Sequence, residues 1–159
     1  LELSPLEWPG LNEYDSGAVI RAILPGRGET SLGDPHSPEG YKAHFRLLRD
    51  GLRQWMAGVV SPRGMPTYPE FLHGVTSALE HARTQHSGNV LVVSSGGPIS
   101  TAVGHVLGTT PETTIEMNLR MRNTSVSELA HNPKRCTLVS FNTLPHLSSP
   151  AHADWVTHA

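Results

Sequence analysis

The chain has 159 residues, enough for one domain with a real core. Twelve Lys and Arg against fourteen Asp and Glu leave a net charge of -2, which argues against an electrostatic grip on nucleic acid or a polybasic membrane anchor. No apolar run approaches the length that crosses a bilayer, and the single cysteine, Cys136, excludes an internal disulfide framework. No signal peptide is visible, so the expected compartment is reducing and cytoplasmic.

In chain order, Leu24 to Pro38 is rich in Gly, Pro and polar residues and reads as a long surface loop. Ser37 followed by Pro38 and Glu39 is a helix start. The apolar spacing of Tyr41, Phe45, Leu48, Leu52, Trp55, Met56 and Val59 then predicts a helix with that face turned inward. Thr67 and Glu70 form a capping-box pair ahead of a second helix with the stripe Tyr68, Phe71, Leu72, Val75, Leu79 and Ala82, and Gly88 suits its stop. Asn89 to Ser94 (NVLVVS) is a short continuous apolar run of the kind found in a strand covered on both faces. After Gly96-Gly97-Pro98 a helix runs through Val103, Val106 and Leu107 to Gly108, and Thr110-Pro111-Glu112 opens another. Strands are expected at 124–130 and 137–142, joined by a turn from His131 to Lys134, and the tail after His146 is expected to be loosely ordered.

This order predicts an α/β fold, with a three-layer α/β/α sandwich as the economical architecture. Residues 1–147 form the expected domain and 148–159 a C-terminal tail. A homo-oligomer is compatible with an exposed sheet edge.

The segment Val92 to Ile99 (VVSSGGPI) carries the most chemical information. It places two hydroxyls and two glycines where a buried strand turns into a helix, the point at which open α/β sheets bind ligands. Gly96 and Gly97 let backbone approach an anion, and the first free N–H groups of the next helix point at it. The competing reading is a tight turn that needs glycine for its geometry. Ser95 also invites comparison with the nucleophile elbow G-x-S-x-G, with His131 or His146 as triad partners, but Val93 occupies the first glycine position. The ten histidines include no HExxH and no helical His pair, so neither a metal site nor any other cofactor is expected. Arg120 and Arg122 alternate beside Asn123 and read as a solvated face.

SSGGPI following a strand resembles the C-terminal signature of the histidine phosphatases (phosphoglycerate mutase-like proteins), usually a strand ending in Ser/Thr-His-Gly-Gly. Leu11 to Gly17 (LNEYDSG) resembles the family's L-x-E-x-x-x-G. Asn123 to Val126 (NTSV) and Ser140 to Leu147 (SFNTLPHL) resemble its closing strands and C-terminal turn. The resemblance implies phosphoryl transfer through a phosphohistidine formed in an R-H-G motif, with arginines neutralising the phosphate. It gives Glu13 the role of proton donor, with Asp15 as a nearby substitute, and places Ser95 where the second histidine stands. Ser94, Gly96, Gly97, Asn123 and His146 then line the pocket for a small phosphorylated molecule, with specificity in variable loops such as Leu24 to Pro38. No R-H-G triplet occurs in the 159 residues, and no arginine precedes Leu11. The chain begins at Leu1 rather than Met, so the N-terminal strand region with the nucleophile is expected upstream. Without it, these residues are not expected to turn over phosphate esters. The alternatives are a phosphate-binding pseudoenzyme and a serine hydrolase using Ser95.

Overall fold

Five α-helices and one β-hairpin make up most of the regular structure in a computed structural model that describes residues 4–27, 37–132 and 134–158. Helix α1 (Ser16–Arg27) starts where the Asp15 carboxylate accepts the Ala18 amide at 2.9 Å, satisfying an otherwise orphaned donor. It buries Val19, Ile20, Ile23 and Leu24 on one face. The helix runs through Pro25, so the loop expected from Leu24 begins later, and its portion 28–36 lies outside the described residues.

Helix α2 (Pro38–Met56) is capped as expected, with Ser37 Oγ accepting the Gly40 amide at 3.0 Å. Its inward stripe starts later than the spacing predicts. Leu47, Leu48, Leu52 and Trp55 are buried, whereas Tyr41 is 58% and Val59 69% exposed. In α3 (Tyr68–Gln85) the capping box forms in full: Glu70 returns its carboxylate to the Thr67 amide at 2.8 Å. A 3-10 turn at Pro9–Leu11 lies across α3, where Trp8 Nε1 donates to the Gly74 carbonyl at 3.2 Å.

Residues 89–95 are extended but belong to no sheet. Leu91 is 86% and Val93 82% exposed. The covered parallel strand expected here is therefore not built within the described residues: no adjacent strand shares its backbone ladder, and both faces meet solvent. Helix α4 (Gly96–Leu107) follows at once and ends at Gly108, whose φ of 65° provides the left-handed cap that glycine adopts without strain. Helix α5 (Pro111–Asn118) is capped by Thr110.

Strands β1 (Val126–Asn132) and β2 (Arg135–Thr143) pair antiparallel, with Val126 opposite Thr143 and Asn132 opposite Arg135. They match the expected strands to within a few residues. The C-terminal tail corrects its expectation. Pro145–Leu147 and Pro150–Trp155 are 3-10 turns, and Arg122 forms an isolated antiparallel bridge with His158. The tail is held by hydrogen bonds to residues 122 and 123, a constraint that its composition does not announce.

The fold is thus mixed helix and strand. Its core is a single cluster drawn from all five helices, including Val19, Ile20, Leu48, Trp55, Val75, Ala102 and Ile115. Among the described residues no helix is long and apolar enough to cross a membrane.

Candidate functional site

The N-terminus of α4 is where the sequence placed the anion pocket, and Glu13 reaches it. Glu13 Oε2 accepts the Gly97 amide at 2.9 Å, while Oε1 accepts the Tyr14 amide at 3.2 Å. One hydroxyl away, Ser94 Oγ donates to the Leu11 carbonyl at 2.7 Å. These bonds tie the Leu11–Tyr14 segment to the end of the extended run and the first turn of α4, residues more than eighty positions apart. Among the described residues no Lys or Arg pairs with Glu13, so backbone N–H groups alone hold its carboxylate. A carboxylate at a helix N-terminus also meets the positive end of the helix dipole.

Gly97 is required by proximity. A Cβ there would collide with Glu13 Oε1 and lie 2.6 Å from Tyr14 Cε1. Gly96 has less constraint, with Asn118 Oδ1 at 3.0 Å from its ideal Cβ. Gly97→Ala is therefore expected to destabilise the fold by about 1–3 kcal/mol through overpacking against a segment that cannot retreat without losing its bonds. A shift in urea midpoint at unchanged slope measures this, and Gly96→Ala serves as the milder control.

Tyr14 carries the floor of the site. Its ring packs 5.9 Å from Trp55 and 6.3 Å from Phe71, and its hydroxyl accepts from Asn118 Nδ2 at 2.6 Å. Burial pushes the Tyr14 phenol far above its ordinary range. The Asn118 bond opposes this, and the neighbouring Glu13 charge adds to the rise. The phenol stays protonated at neutral pH. A cavity of about 20 Å³ beneath it, lined by Tyr14, Trp55, Phe71, Gly97 and Asn118 among others, has room for about one water molecule. Any substrate must approach from the outer side of Glu13, which is exposed.

The other expected site residues divide. Ser94, Gly96 and Gly97 stand together with Glu13. Ser95 is the cap residue of α4, with extended backbone and no side-chain bond to the helix. Of its proposed triad partners, His146 Nε2 lies 3.0 Å from Thr124 Oγ1, and His131 sits in the hairpin with its backbone opposite Cys136; among the described residues no hydrogen bond joins either to Ser95. Asp15 caps α1 and pairs with Arg21 at 3.3 Å, so it serves that helix. Asn123 donates through Nδ2 to Thr157 Oγ1 at 2.9 Å and to the His158 carbonyl at 3.2 Å. Asn123 and His146 thus form a second cluster around Thr124, and among the described residues no hydrogen bond joins it to the Glu13–Gly97 pair. The nearest link is Met121, whose Cβ is 3.5 Å from the ideal Gly96 Cβ and whose Sδ accepts from Ser125 Oγ. Arg120 is exposed and lies 3.7 Å from Glu116, while Arg122 bonds the Asn142 carbonyl. Among the described residues no group of three or more His, Cys, Asp or Glu is placed to hold a metal ion.

The sequence reading missed Tyr14 and Asn118. Tyr14 stood in the LNEYDSG motif, but nothing in its spacing marked it as buried. Asn118 ends a helix whose own apolar pattern is weak.

The sequence profile of the histidine phosphatase superfamily (branch 1) matches residues 23–144, roughly three quarters of the chain. The chain belongs to the histidine phosphatase superfamily, and phosphatase- or mutase-like chemistry on phosphorylated substrates is the general function of that class. The match includes SSGGPI and NTSV, whereas Glu13 lies before it and His146 after it. No curated protein and no solved structure matches the chain.

Proposed function

We propose that these residues form the acid-bearing part of a histidine-type phosphomonoesterase or mutase. The observation that supports this most directly is the Glu13 carboxylate 2.9 Å from the Gly97 amide, at the tip of the extended segment that turns into α4. A histidine on a strand outside these 159 residues supplies the nucleophile. That strand seats against Val90–Val93, whose exposed apolar side chains and unladdered backbone suit a parallel neighbour, and its addition extends the fold towards a three-layer sandwich.

In the chemical step an imidazole nitrogen attacks phosphorus as the bond from phosphorus to the leaving oxygen breaks, and Glu13 gives its proton to that oxygen. The Glu13 carboxylate then takes a proton from the water or acceptor hydroxyl that cleaves the phosphohistidine. Ser95 offers its hydroxyl and Gly96 its backbone N–H to the phosphate oxygens, while the Gly97 N–H holds the Glu13 carboxylate beside them. The substrate is a small phosphorylated molecule, and the single cysteine favours a cytoplasmic setting.

A second reading, a non-catalytic phosphate-binding protein, is favoured by Ser95. It stands where the family has a charged histidine, and a hydroxyl donates one hydrogen bond without charge. Assaying the chain with its natural flanking sequence on p-nitrophenyl phosphate, together with trapping of acid-labile phosphoprotein, separates the two. Turnover with a phosphoenzyme supports the enzyme. Tight binding of a phosphate ester without either supports the second reading. The 159 residues alone are expected to give no phosphoprotein.

A further inference from the structure

The N-terminal half of α2 presents a feature that neither the core nor the Glu13 site uses. Tyr41, Lys42, Phe45, Arg46 and Arg49 line an open groove of about 410 Å³. The Tyr41 and Phe45 rings lie 4.7 Å apart, tilted by 53°. Helical spacing had assigned both rings to the interior, yet Tyr41 is 58% exposed. Lys42 and Arg46 are one helical turn apart, and Arg49 is on the next. Like charges at this spacing destabilise a helix by about 0.2–0.5 kcal/mol a pair, so the arrangement is not explained by helix stability.

Among the described residues no carboxylate lines the groove. Among the described residues Lys42 and Arg46 enter no ion pair, while Arg49 is fixed by Glu116 on α5 at 2.8 Å. The whole chain carries a charge of -2, so three converging cations are a local concentration against the average. Three cationic side chains on one lining, beside the exposed Tyr41 ring and the half-buried Phe45 ring, match a ligand that joins several negative charges to a flat aromatic group. The volume falls in the range of small-molecule sites, about 300–1,000 Å³.

We infer that this groove binds a nucleoside polyphosphate, with Lys42 and Arg46 on the phosphates and Tyr41 and Phe45 against the base. The groove shares no lining residue with the cavity under Tyr14, and the inference does not rest on the catalytic reading.

Titration of the chain with a fluorescent ATP analogue, competed by ATP and by inorganic triphosphate, tests it. ATP is expected to displace the probe saturably below about 1 mM, a modest affinity for an open site. The double variant Lys42→Glu, Arg46→Glu is expected to lose about tenfold or more in affinity through loss of charge-assisted bonds. Tyr41→Ala is expected to weaken ATP while leaving triphosphate unchanged. The three substituted residues, Tyr41, Lys42 and Arg46, are exposed, and circular dichroism of each variant checks that the fold is kept. Binding that survives the double charge reversal overturns the inference. So does equal affinity for ATP and triphosphate with no response to Tyr41→Ala, which leaves only a diffuse basic face. Tighter binding of an acidic peptide than of ATP assigns the groove to a protein partner and also overturns it.

Discussion

Replacing Glu13 by glutamine is expected to lower kcat for an alkyl phosphate roughly 10²–10⁴-fold in protein that carries the nucleophilic histidine, with KM little changed. Glutamine keeps one oxygen for the Gly97 amide and gives up only the longer 3.2 Å bond from the Tyr14 amide, so the link to α4 is retained, but the carboxamide has no acidic proton to deliver. The loss should depend on the leaving group. An alkoxide needs its proton in the transition state, whereas p-nitrophenolate departs without one. In single-turnover formation of the phosphoenzyme the deficit should therefore largely vanish with p-nitrophenyl phosphate, while the later hydrolysis, which uses Glu13 as base, stays slow with both. If phosphoenzyme formation slows equally with both substrates, Glu13 acts only as a cap on α4, a role worth about 0.5–2 kcal/mol of stability. If it slows with neither, Glu13 is not the acid.

Trp55→Ala is expected to destabilise the protein by about 3–5 kcal/mol, a large share of the roughly 5–15 kcal/mol typical of a domain. Trp55 is 2% exposed and lies 5.3 Å from both Tyr68 and Phe71. Its indole nitrogen donates to the Pro66 carbonyl at 3.1 Å, tying the loop before α3 to α2. Truncation opens a cavity at the junction of two helices and removes the ring beneath Tyr14, so the floor of the site softens as well. Urea denaturation measures the loss, and Trp55→Phe, which keeps a ring but drops the hydrogen bond, should cost clearly less. A loss under about 1 kcal/mol for the alanine variant would contradict a central place in the core.

Much of the helical part was legible because its signals are local. Ser37, Thr67, Thr110 and Gly108 mark helix ends through chemistry confined to a few residues, and each acts as the sequence suggests. Helix α1 escaped notice although Val19, Ile20, Ile23 and Leu24 have helical spacing, because Pro25 and Gly26 read as a breaker. The proline falls in the last turn, where little helix remains to be interrupted. Tyr41 and Phe45 were misassigned for the opposite reason. Periodicity finds a stripe but cannot tell whether anything covers its end. The meeting of Glu13 with Gly97 was legible through the resemblance to a family rather than through composition. The engagement of Asn123 by Thr157 depended on the path of the tail, which no local pattern encodes. Residues 89–94 show the limit most clearly: their apolarity announces a covered strand, but coverage belongs to the neighbours.

The core cluster contains residues of α1 to α5 and none from β1, β2 or the extended segment. The deepest burial is thus made by helices alone, so amide exchange is expected to be slowest within them and faster in the hairpin and at Val90–Val93, where few apolar contacts shield the backbone. Gly97 belongs to that protected body and anchors the acid to it, while the outer wall of the site is expected to exchange first.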